Sequence, residues 1–117
     1  MLKKEIKSVV KLRNVARELR DDLVQETSHF SGYAVVVTVG KDFAEVDFMS
    51  SDDVCKIITD SAFNTVMGVV SMYGMMYDGI DWHLDVVRRA GTQEYYPVVR
   101  VDLRMNVKQG ELRWLCP

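Results

Sequence analysis

The segment from Ser51 to Tyr77 constrains the fold most, because it is the most continuously apolar stretch of the 117 residues and its apolar positions have helical spacing. Val54, Ile57, Ile58, Ser61, Ala62, Thr65, Val66, Val69, Val70 and Tyr73 recur at intervals of three and four, which gives one wide face able to lie on a sheet. Ser50, Ser51, Asp52 and Asp53 put capping oxygens and negative charge at the front of that run, so the helix is expected to begin there. In its second half Phe63, Met67, Met72, Met75 and Met76 place apolar groups on the remaining faces, and a helix apolar all round needs cover on every side. Methionine serves equally to fill irregular core gaps and to form an adaptable contact surface. The first use is the more ordinary; the second implies a protein interface, including a homodimer through Met67, Met72, Met75 and Met76. Gly68 and Gly74 each cost about 1 kcal/mol relative to Ala inside a helix, so they are expected to allow close packing or to mark a bend.

Elements on either side follow from the same periodicities. Leu2, Ile6, Val9, Leu12, Ala16, Leu19 and Leu23 form a helical stripe, and residues 2 to 26 read as one amphipathic helix. Tyr33, Val35, Val37 and Val39 alternate with Ala34, Val36 and Thr38 as a strand, and Ala44, Val46 and Phe48 alternate with Glu45, Asp47 and Met49 as the next. Gly40-Lys41 suits the turn between them, with glycine taking positive φ, which would set Val35 opposite Val46 and Tyr33 opposite Phe48. After Asp78-Gly79, a second hairpin carries Ile80, Trp82, Leu84 and Val86 on one face and Asp81, His83 and Asp85 on the other. Its partner strand has Val99, Val101 and Leu103 inward and Arg100, Asp102 and Arg104 outward. A turn centred on Thr92-Gln93 would set Asp85 opposite Arg100, His83 opposite Asp102 and Asp81 opposite Arg104, a lattice of complementary charges. Leu112 and Trp114 read as a short closing strand. The expected architecture is a single α+β domain over residues 1–117, with two helices on one face of a mainly antiparallel sheet of four or five strands, in the order α-β-β-α-β-β-(β).

Several classes of function lose support at this stage. No segment is long and apolar enough to span a bilayer, and the charged start Met1-Leu2-Lys3-Lys4-Glu5-Ile6-Lys7 lacks the apolar core of a signal peptide. Cys55 and Cys116 do not form a disulfide framework, so a reducing cytoplasm is expected. No phosphate-binding glycine loop, nucleophile elbow, zinc motif or calcium loop occurs, and no cofactor is expected. Asp81, His83, Asp85 and Asp102 could meet a metal ion for a metal-dependent reaction. Arg100 and Arg104 lie among the same carboxylates and would compete for them, so an ion-pair lattice explains the cluster better. His29 reads as a loop histidine, and Asp52-Asp53 as helix capping rather than a metal pair.

Charge is unevenly spread. The first twenty residues hold seven basic side chains and two acidic ones in a chain whose net charge is −2. Lys3, Lys4, Lys7 and Lys11 form one row, with three of them at the end of the expected helix where its dipole disfavours cations, a hint of a contact surface. Arg13, Arg17 and Arg20 form a second row. These features lead to the expectation of a non-enzymatic protein-interaction module, such as a small regulator, adaptor or stoichiometric inhibitor. Its contacts would be Met67, Met72, Met75, Met76, Lys3, Lys4, Lys7 and Lys11. Nucleic-acid binding through Lys7, Lys11, Arg13, Arg17 and Arg20 is the alternative.

Overall fold

The computed structural model describes residues 2–51, 57–88, 91 and 94–105. Its elements run α1 (Val9–Glu26), β1 (Tyr33–Val39), β2 (Phe43–Ser50), α2 (Asp60–Met76), β3 (Ile80–Arg88) and β4 (Tyr95–Arg104). The four strands form one antiparallel sheet in the order β1-β2-β4-β3. The α+β architecture and the element order expected from the sequence are therefore present. The closing strand expected at Leu112 and Trp114 falls outside the described residues.

One core joins the helices to a single face of the sheet. Leu12, Val15, Ala16, Leu19 and Leu23 of α1 and Ala62, Val66, Val69, Val70 and Tyr73 of α2 are buried. They pack with Ala44, Val46 and Phe48 of β2 and Val99, Val101 and Leu103 of β4. Burying a residue such as Phe48 or Leu19 is worth about 1.5–3 kcal/mol, and alternation along the strands makes these inward positions inseparable from the register. Tyr33 stacks on Phe48 with ring centroids 4.8 Å apart, and its hydroxyl accepts from the Thr59 amide at 3.1 Å, tying β1 to the start of α2.

Both helices start later than their apolar runs suggest. α1 is capped by Ser8, whose hydroxyl accepts from the Lys11 amide at 3.1 Å, so residues 2–7 are an arm and not a first turn. Lys3 and Lys4 consequently stand outside the helix, while Lys7, just before the cap, and Lys11, in the first turn, remain at its positive end. α2 is capped by Thr59, whose hydroxyl accepts from the Ala62 amide at 3.2 Å, with Asp60 in the first turn. Ser50, expected at the front of that helix, instead ends β2 opposite Tyr33, and Ile57 is exposed. Val54, Cys55 and the expected caps Asp52 and Asp53 lie outside the described residues.

Both hairpins keep their expected faces but shift by two residues. Val35 faces Phe48 and Val37 faces Val46, because the turn sits at Lys41-Asp42 and the Gly40 amide donates to the Phe43 carbonyl at 2.8 Å. Gly40 does not take positive φ. It is glycine because a Cβ there would overlap the Phe43 ring. In the second hairpin His83 faces Arg100, Asp81 faces Asp102 and Asp85 faces Val98. Gly79 does what its motif implies: its φ is +87°, and a Cβ would stand 2.5 Å from the Arg104 carbonyl oxygen.

Candidate functional site

The arm preceding α1 is what builds the first candidate surface. The Lys4 amide donates to the Met76 carbonyl at 2.8 Å, and the Asp78 amide donates to the Lys4 carbonyl at 2.9 Å, so the arm lies alongside the C-terminal end of α2. Ile6 is fully buried and anchors it. The arm satisfies a carbonyl that the end of α2 would otherwise leave open. Lys11, in the first turn of α1, sets its ammonium 5.5 Å from the centroid of the Tyr77 ring. Lys7 pairs with Glu5 at 3.1 Å, an exposed contact of little energetic weight.

Met75 is 69 % exposed, and Met72 and Met76 are also exposed, so three of the four methionines are not core filling. Met67 is half-buried and packs against the core with Phe63, away from the other three. Gly68 and Gly74 face open space, so close packing does not account for them. Met76 and the arm, far apart in the chain, thus meet through the backbone at the end of α2, one turn beyond Met72, which lines a groove with Asp22 and Glu26. The result is an exposed run of adaptable side chains with the lysines of the arm at its C-terminal end and the carboxylates of Asp22 and Glu26 beside Met72. The other basic row stays on α1: Arg13 and Arg17 are exposed, and Arg20 pairs with its neighbour Asp21 at 3.0 Å.

On the sheet face away from the helices, Arg100 of β4 organises the charges. Its Nε and Nη2 donate to the two carboxylate oxygens of Asp47 at 3.0 and 3.3 Å, and its Nη1 donates to Asp85 at 2.7 Å. Glu45 lies 3.7 Å away. The hydrogen bond to Asp47 is the chief reason the guanidinium is held more firmly protonated than usual, against the opposing effect of burial. His83 Nδ1 is 3.1 Å from Asp102, and its Nε2 is 3.8 Å from Asp85. Of the three contacts expected from the sequence, Asp85 with Arg100 and His83 with Asp102 form, but diagonally, and Asp81 with Arg104 does not. Directly across the ladder Asp81 meets Asp102, a like-charge pair that the expected register did not contain.

Glu45 and Asp47 were not anticipated as partners of Arg100. Both were assigned to the same face, but only the adjacency of β2 and β4 brings them together, and sequence periodicity carries no strand order. Nor is this face uniformly wet as alternation suggests: Asp47, Tyr96 and Val98 are buried. Among the described residues no group of His, Cys, Asp and Glu side chains is arranged to hold a metal ion, and Arg100 occupies the centre of the carboxylates. His29 is exposed and its ring lies tilted against that of Phe30, with centroids 4.0 Å apart. Between the helices, Tyr73 is buried and its hydroxyl donates to Asp22; burial first, then this hydrogen bond and the nearby carboxylates, push its ionisation well above the ordinary range.

No protein-family model, curated protein or solved structure matches the chain. No helix among the described residues is long and apolar enough to cross a membrane.

Proposed function

We propose that the chain is a non-enzymatic protein-interaction module, a small regulator, adaptor or stoichiometric inhibitor, that uses the end of α2 as its contact surface. The observation that supports this reading is the exposure of Met72, Met75 and Met76 on the last turns of α2, whose end lies beside an arm bearing Lys3, Lys4 and Lys7. Flexible thioethers accommodate an apolar surface, and the lysines favour one with an acidic border, by steering and by disfavouring basic competitors. A reducing cytoplasmic setting fits the two cysteines of the sequence. A homodimer through the same methionines is the competing proposal.

The test is capture of partners from a cell extract on the immobilised chain, compared with a Met72→Ser/Met75→Ser/Met76→Ser variant and a Lys3→Glu/Lys4→Glu/Lys7→Glu variant. A protein retained by the parent, lost by the first variant and weakened by the second supports the reading. Identical retention by all three removes it. Light scattering across protein concentration decides the homodimer.

A further inference from the structure

The two edges of the sheet are not equivalent. In β3 the Gly79 carbonyl accepts from the Arg104 amide, so odd-numbered residues bond to β4 and the amides of Trp82, Leu84 and Val86 point out of the sheet. Two of these are already occupied: Trp82 N–H donates to its neighbour Asp81, and Val86 N–H to Asp85, each at 2.8 Å. Carboxylates folded over their own strand are a recognised way of closing an edge to further strands. At β1 the parity is reversed. The Gly32 carbonyl accepts from the Ser51 amide and the Gly40 amide donates to Phe43, so even-numbered residues bond to β2 and the N–H and C=O groups of Tyr33, Val35, Val37 and Val39 point outward. The strand reads Tyr-Ala-Val-Val-Val-Thr-Val, with no charge and no proline. Val36 is 46 % exposed, and among the described residues no strand pairs with that edge.

What flanks this open edge says what it takes. At one end a groove of about 250 Å³ is lined by Val24, Thr27, Ser28, Phe30, Tyr33 and Val35, so Val24 stands on the flank of α1 that looks toward the β1 edge. Arg20, Arg17 and Arg13 precede Val24 at i−4, i−7 and i−11, each close to a whole number of helical turns, and share that flank. The opposite flank faces α2, through Asp22 to Tyr73 and Lys11 over Tyr77. Arg13 and Arg17 make no ion pair with the described residues, and the exposed pair of Arg20 with Asp21 is weak.

We propose that β1 accepts an extended segment of a partner protein as a fifth strand, and that the side chains of that segment facing α1 are acidic along the arginine row and apolar at the groove. Backbone hydrogen bonds hold the segment and alternate side chains select it. The arginines argue against a second copy: pairing β1 with itself about a two-fold axis would set the two α1 helices side by side, at roughly 10 Å given the spacing of strands, with arginine row against arginine row. This site is separate from the methionine surface, so either can fail without the other.

The probe is a synthetic peptide, Thr-Glu-Val-Glu-Val-Leu-Thr, whose two glutamates and leucine share one face when extended. Its control has lysine in place of both glutamates. Titration is followed by fluorescence anisotropy and by amide hydrogen exchange on the whole chain. The glutamate peptide is expected to bind at least about tenfold more tightly than the control, with the preference reversed in Arg13→Glu/Arg17→Glu. Exchange is expected to slow at Val35 and Val37, whose amides point outward, and to change little at Ala34 and Val36, already bonded to β2. Equal binding of both peptides, binding without protection at Val35 and Val37, absence of binding, or concentration-dependent protection of those amides without peptide would each overturn the proposal.

Discussion

Replacing Arg100 by methionine tests whether the charged face of the sheet is held by this one side chain. Arg100 lies in β4 and reaches Asp47 of β2 and Asp85 of β3, so it crosses three of the four strands. Asp47 is the partner that matters most, because its side chain is only 9 % exposed and has no comparable access to water, whereas Asp85 is 40 % exposed and can be hydrated. Removing the cation from a largely buried pair leaves an uncompensated charge and costs about 3 kcal/mol, a large share of the stability of a domain of this size. In urea this corresponds to a midpoint lowered by roughly 1–3 M at unchanged slope. If desolvated Asp47 is the cause, Arg100→Met combined with Asp47→Leu recovers stability to within about 1 kcal/mol of the parent, since an apolar pair can replace a buried ion pair at little cost. A single variant costing under about 1 kcal/mol, or a double variant no better than the single, would refute the reasoning. It would mean that the buried carboxylate finds another partner or is hydrated.

Three further outcomes follow from packing and linkage. Gly40→Ala is expected to cost about 1–3 kcal/mol by forcing the Phe43 ring aside, and most of that cost should vanish in a Phe43→Ser background, measured by a double-mutant cycle in urea. Gly68→Ala and Gly74→Ala, which meet nothing within 4 Å, are each expected to stabilise α2 by up to about 1 kcal/mol; a loss of stability would show a contact not accounted for. Tyr73 stays neutral in the folded chain at pH values where an unfolded tyrosine ionises. Its contribution is complete below the ordinary pKa of 10.0 and declines as pH rises above that value, so stability at pH 11 should fall less in Tyr73→Phe than in the parent.

Periodicity carried the fold a long way because it reports faces. A shift of two residues in a hairpin leaves every side chain on its own side of the sheet, which is why Val46, Phe48, Val99 and Val101 were placed inward although both registers were displaced. Turn chemistry failed at Gly40 because glycine has two uses, positive φ and absence of a Cβ, and the sequence does not say which; the Phe43 ring that decides it is brought close only once the hairpin forms. Helix starts failed because apolar spacing continues through residues that are buried without being helical: Ile6 fits the stripe of α1 and is buried from an arm. The caps that end the ambiguity, Ser8 and Thr59, are ordinary hydroxyl residues inside longer candidate runs, and competing serines and aspartates lay ahead of Thr59. The candidate site was legible as residue types and not as a place. Met76 and Lys4 are neighbours through backbone hydrogen bonds at Met76 and Asp78 that no spacing rule anticipates.

The same helix separates the two proposed contact surfaces. α1 presents Lys11 and Asp22 toward α2 and the methionine end, and Arg13, Arg17, Arg20 and Val24 toward β1, so the lysine and arginine rows read in the sequence face different ways. The alternative of nucleic-acid binding through Lys7, Lys11, Arg13, Arg17 and Arg20 would need one polyanion to reach both rows, because Lys7 belongs to the arm and Lys11 stands on the flank opposite Arg13. If each surface contacts its own partner, charge reversal at Arg13 and Arg17 and serine substitution at Met72, Met75 and Met76 should act on different ligands and combine additively to within about 0.5 kcal/mol in stability. A low-salt electrophoretic shift of DNA or RNA abolished equally by Lys7→Glu and by Arg17→Glu would instead require both flanks to touch one polyanion, and would overturn the division of α1 into two independent faces.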